Sequence, residues 1–72
     1  MANIQVKSEI TGIVSKILVQ VGDEVDVDTP LIYVESMKMD IPLVAPKKLT
    51  VIHIHINEGD NISEDDLCIT LG

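Results

Sequence analysis

Val14-Ser15-Lys16-Ile17-Leu18-Val19-Gln20-Val21-Gly22-Asp23-Glu24-Val25 and Val51-Ile52-His53-Ile54-His55-Ile56-Asn57-Glu58-Gly59-Asp60-Asn61-Ile62 are two copies of one phrase. Both read V-x-x-I-x-[VI]-x-x-G-D-x-[VI], and they stand 37 positions apart, the distance from Gly22 to Gly59. At the same offset Asp28 meets Asp65 and Ile32 meets Ile69. Each copy is too short to bury an apolar face alone. Two in tandem imply a quasi-two-fold sandwich or flattened barrel. The expected organisation is therefore a single domain over 1–72, with halves of about 1–37 and 38–72.

Composition agrees with an all-β reading. Twenty Ile and Val residues outnumber eight Leu and Ala. Branching at Cβ stiffens χ1 and favours a pleated, half-buried surface over a helix. Strands are expected over 3–7, 12–20, 30–35, 39–44, 49–57 and 67–72, with short ones near 24–27 and 61–64. The pattern predicts no helix longer than a turn, because no window carries a period of 3.6. Gly22-Asp23 and Gly59-Asp60 mark turns, and Ser63-Glu64-Asp65-Asp66 reads as a solvated one. Pro30, Pro42 and Pro46 lack an N–H and belong at strand starts or sheet edges.

With 5 basic and 12 acidic residues the net charge is −7, so no basic groove awaits nucleic-acid phosphates or an anionic membrane. One Tyr and no Phe or Trp leave no platform for base stacking. No apolar stretch approaches the roughly 20 residues of a membrane span. Met1-Ala2-Asn3-Ile4-Gln5 lacks the basic and apolar runs of a signal peptide. A single cysteine fits a reducing compartment, and the expected location is the cytoplasm.

Between the two copies lies Tyr33-Val34-Glu35-Ser36-Met37-Lys38-Met39-Asp40-Ile41-Pro42. Strand-forming residues flank a reversal that has no Gly, Asn or Pro to make it. A two-residue hairpin of the favoured primed type would force Met37 and Lys38 to positive φ. That costs on the order of 1 kcal/mol or more per residue, and such strain collects at functional sites.

Glu35-Ser36-Met37-Lys38-Met39 resembles the attachment signature of the biotinyl/lipoyl carrier domains. The resemblance extends over nearly the whole chain: the repeated G-D-x-[VI] turns, Pro30-Leu31 and Ala45-Pro46. It implies two four-stranded antiparallel sheets in a flattened barrel (a barrel-sandwich hybrid), with the modified lysine on the hairpin joining the halves, opposite the chain ends. It further implies covalent biotin on Lys38, with Met37, Met39 and Glu35 as flanking residues met by a biotin protein ligase. The implied function is that of a monomeric carrier, not itself an enzyme, moving carboxylate between a biotin carboxylase and a carboxyltransferase. Lipoyl members of the family typically read Asp-Lys-Ala at the lysine, so methionine on both sides favours biotin over lipoate. A lipoyl carrier of an acyl-transfer or glycine-cleavage type, and an unmodified β-barrel interaction module, stand as alternatives. This chain departs from the family pattern where Ser8-Glu9-Ile10-Thr11-Gly12 replaces A-P-x-x-G, and where Leu49 replaces a glycine. Nor does it contain the thumb loop of some acetyl-CoA carboxylase carriers.

Other residues invite blander readings. Glu35 and Asp40 either orient a ligase by charge or are solvated rim carboxylates. His53 and His55 share a strand face but lack further metal ligands, so both are expected to face solvent while Ile52, Ile54 and Ile56 turn inward. Cys68 matches Leu31 of the first copy and reads as a small core residue. No metal and no catalytic residue are expected.

Overall fold

A computed structural model describes residues 3–72 as eight strands with no helix among them. Residues 1 and 2, which begin the first half and the N-terminal stretch read for a leader, lie outside the described residues. The strands are β1 Ile4–Lys7, β2 Gly12–Ile17, β3 Glu24–Val25, β4 Pro30–Ser36, β5 Met39–Val44, β6 Leu49–Ile54, β7 Asn61–Ile62 and β8 Leu67–Leu71. They build two antiparallel four-stranded sheets, ordered β1-β8-β6-β3 and β5-β4-β2-β7. Shifting by 37 positions carries β1, β2, β3 and β4 onto β5, β6, β7 and β8, and so carries one sheet onto the other. Register follows the same rule: Val34 opposes Ile41 in one sheet, and Leu71 opposes Ile4 in the other.

Each sheet draws two strands from each copy, so neither copy has a separate core. The buried residues come in offset pairs: Val14 with Val51, Val19 with Ile56, Val25 with Ile62, Leu31 with Cys68, Ile32 with Ile69, and Val34 with Leu71. Burying such side chains contributes roughly 1.5–3 kcal/mol each, and this shared interior holds the sheets together. Ser8 and Ala45 form another offset pair, both buried. The serine hydroxyl is satisfied locally, donating to the Ile10 carbonyl and accepting from the Ile10 N–H, so its replacement of alanine leaves no orphaned polar group.

The Gly-Asp turns lock the copies together. The Gly22 N–H donates to the Val51 carbonyl and the Val51 N–H to the Asp23 carbonyl, each at 2.8 Å. The Gly59 and Val14 N–H groups make the mirrored pair, to Val14 and Asp60 carbonyls at 2.7 and 2.9 Å. Both glycines have positive φ, 99° and 92°, which the turn requires. The two aspartates reach back to the Gln20 and Asn57 N–H groups at 2.9 Å.

These turns end β2 and β6 at Ile17 and Ile54, three residues before the alternation predicts. The pattern runs on because Val19 and Ile56 still point into the core after the chain has left the sheet. Bulges bring a second correction. Register shifts between Val14 and Lys16, and between Val51 and His53. Ile52 is consequently 43% exposed, not turned inward, while Ile54 is half-buried and Ile56 buried. A bulge inserts one residue and inverts the facing of the residues beyond it, which alternation alone cannot reveal. The prolines sit where a missing donor is harmless: Pro30 opens β4, Pro42 lies on the edge strand β5 and Pro46 comes just after it.

Candidate functional site

The β4–β5 hairpin is the feature that breaks the pseudo-symmetry. Its counterpart, the β8–β1 pair, joins the strand beginning at Ile4 to the one ending at Leu71, with no turn between them. On the hairpin Ser36 opposes Met39 and Glu35 opposes Asp40, which leaves a two-residue loop of Met37 and Lys38. Their φ angles are 52° and 65°, the paired left-handed conformation of a primed turn. Asp28 and Asp65 are the other non-glycine residues at positive φ among the described residues. They are related by the offset and aspartate tolerates this region, whereas Met and Lys at 37 and 38 adopt it with no counterpart among the described residues.

The root of the hairpin is held firmly. Val34 is fully buried, and Gly12 lets β2 approach β4 closely enough that a Cβ there would stand 2.8 Å from the Val34 side chain and overlap the Glu35 carbonyl. Bulged Ser15 faces the Tyr33 carbonyl at 3.2 Å and Asp40 Oδ1 at 3.3 Å, tying β2 to both hairpin strands. Sequence reasoning missed Ser15 as a support. Its signal was a mismatch between the copies, a hydroxyl where the second copy has Ile52.

The tip, by contrast, is open. Met37 is 92% exposed and Met39 64%, so neither closes the barrel end as core. Lys38, Glu35 and Asp40 are exposed as well. Glu35 and Asp40 stand directly opposite one another, a like-charge pairing that the strand pair alone disfavours. The structure therefore gathers Glu35, Met37, Lys38, Met39 and Asp40 on one rigidly rooted, solvent-exposed turn.

A family model described as biotin-requiring enzyme, of the biotin/lipoyl type, matches residues 5–71. The chain belongs to this biotin/lipoyl family. The biotin carboxyl carrier protein of Streptococcus mutans is 40% identical over 60 residues, covering 83% of this chain and 46% of that one. The chain thus spans about half the length of that relative. The biotin/lipoyl attachment protein of Bacillus subtilis is 33% identical over 66 residues, 92% of this chain and 90% of that protein. The crystal structure of Kluyveromyces lactis urea carboxylase superposes with a TM-score of 0.94 at 29% identity, over 100% of this chain and 6% of that one.

Elsewhere on this biotin/lipoyl domain the other singled-out residues lie away from the hairpin tip. His53 and His55 are exposed, with ring centroids 4.3 Å apart. His55 does more than face solvent: Thr70 donates to Gln5 Oε1 at 2.9 Å, which leaves its oxygen to accept from His55 Nε2 at 2.8 Å. Among the described residues no group of three or more His, Cys, Asp or Glu is placed to hold a metal ion. Cys68 is fully buried, and burial pushes its thiol pKa up, with the Asp66 carboxylate adding to the effect. The 63–66 turn is exposed throughout. No helix of the described residues is long and apolar enough to cross a membrane.

Proposed function

We propose that this chain is the biotin carrier of a biotin-dependent carboxylase, a single domain over 1–72 loaded at Lys38 by a biotin protein ligase. The observation that carries the reading is an exposed lysine held at φ 65° at the tip of a hairpin whose root is clamped into the core. The relatives named as carriers and carboxylases support it.

The residues fit a tethered group. Attachment needs an amine that a ligase active site can surround, and Lys38 stands between two exposed methionines with no core contact to break. Joining biotin's carboxylate to the Lys38 Nζ as an amide removes the lysine's charge and leaves a long, flexible arm. When attached, biotin supplies the ureido ring that carries carboxylate between active sites. The chain itself supplies position. The rigid β4–β5 root fixes where the arm begins, and the arm's reach keeps its end at high effective concentration for both a biotin carboxylase and a carboxyltransferase. Met37 and Met39 offer soft, adaptable apolar contacts to the ligase, and Glu35 offers a charge beside them. The lone, buried cysteine accords with a reducing cytoplasm.

Intact mass and streptavidin blotting after incubation with ligase, ATP and biotin test the reading. The expected gain is one biotinyl group, lost in Lys38→Ala. A Lys38→Ala chain that still gains biotin overturns the site, and a wild-type chain that gains lipoate but not biotin overturns the cofactor.

A further inference from the structure

We propose that Met37 and Met39 form a reversible sulfoxidation site for hydroperoxides, and that their oxidation slows the loading of Lys38. The second half rests on the carrier reading above; the first does not.

Oxidisable sulfur is unevenly placed in this fold. The thioethers of Met37 and Met39 project from the hairpin tip, 92% and 64% exposed, open to attack by a small oxidant. Cys68, which would ordinarily compete, is 0% exposed. Its thiol is held neutral by burial, and the neutral thiol is a poor nucleophile. Among the described residues the fold thus removes cysteine from reach of peroxide and concentrates accessible sulfur on the two neighbours of one lysine.

The chemistry balances with a hydroperoxide as the oxidant. The thioether sulfur gives an electron pair to one peroxide oxygen, and the S–O bond forms as the O–O bond breaks. The proton of the transferred oxygen passes to the departing oxygen, which leaves as water from hydrogen peroxide or as the alcohol from an organic hydroperoxide. Sulfur loses two electrons and peroxide gains them. The product is a polar, chiral sulfoxide that methionine sulfoxide reductases return to the thioether. A ligase surface shaped for apolar thioethers would have to bury a strong S–O dipole without a partner, which is costly. The backbone is not expected to change, because the turn is set by the β4–β5 register and not by the methionine side chains.

The full-length chain, free of biotin, is treated with hydrogen peroxide and mapped by peptide mass spectrometry, then offered to ligase, ATP and biotin. Oxygen is expected on Met37 and Met39 with Cys68 still reduced. Loading is expected to fall about tenfold in kcat/KM, the scale of losing one well-packed interface contact. Treatment with both reductase types should restore it. In Met37→Leu/Met39→Leu, whatever its starting rate, peroxide should leave loading unchanged. Oxygen on Cys68 ahead of the two methionines overturns the site. Oxidised wild-type chain that loads as fast as reduced chain, or a double variant that slows equally with peroxide, overturns the link to loading. Reduced wild-type chain that takes no biotin overturns the carrier reading and the link together, while the oxygen map still judges the site.

Discussion

Gly12 and Glu35 meet across the β2–β4 ladder so closely that the glycine has room only for hydrogen where any other residue would carry Cβ. The Glu35 carbonyl and the Val34 side chain occupy that space, and both belong to the strand that carries the Met37–Lys38 turn. In the second copy the same position is Leu49, half-buried against the core. One glycine therefore serves the hairpin half alone. Gly12→Ala is expected to cost about 1–3 kcal/mol by forcing β2 and β4 apart, measured as a lower urea midpoint at unchanged slope. Gly59→Ala, where an added Cβ meets open space, should cost only the strain of its φ of 92°, about 1 kcal/mol.

The turn itself is built from residues poorly suited to its backbone. Replacing Met37-Lys38 by Asn-Gly puts residues suited to positive φ at angles of 52° and 65°. Chemical denaturation should show a gain of about 1 kcal/mol or more, while intact mass shows no biotin. A variant that is less stable than wild type would mean the loop is held by contacts beyond its backbone.

The bulge at Ile52 can be probed by substitution. Ile52→Ala removes an exposed side chain and should change stability by less than about 0.5 kcal/mol. Ile69→Ala, at 0% exposure, should cost about 2–5 kcal/mol through the cavity it leaves. Thermal unfolding of the two variants checks this. Similar losses would place Ile52 inside and remove the bulge.

Cys68 predicts a one-sided pH response. Its folded pKa lies above the ordinary value of 9.0, so above that value the unfolded chain sheds a proton that the folded chain keeps. Stability then falls as pH rises, with no contribution from this group below about pH 9. Denaturation from pH 8 to 10.5 should show the decline in wild type and not in Cys68→Val. A thiol reagent at pH 8 should react no faster than the chain opens.

Much of this molecule is legible in its residues alone. The 37-residue offset, visible in Gly22-Asp23 and Gly59-Asp60, reappears as the spacing between equivalent strands. A lysine and a methionine at positive φ are implied by strand formers on both sides of a reversal with no turn residue in it. Comparison with Leu31 puts Cys68 in the core, where the structure has it. In each case the deciding physics is local, carried by the alternation of branched side chains, the conformational freedom of glycine and the geometry of a two-residue loop.

What the residues could not announce is which strand lies beside which. Whether β6 takes β3 of the other copy as a neighbour, or pairs only within its own copy, depends on N–H and C=O groups far apart in the chain, such as Gly22 with Val51 and Gly59 with Val14. The same long-range bonds end β2 and β6 early, beside bulges that turn Ile52 outward and set Ser15 against Asp40. Side-chain pattern specifies that a strand forms and which residues prefer burial. Backbone hydrogen bonding between the interlocked copies decides where the strand stops and how firmly the hairpin beneath Lys38 is held.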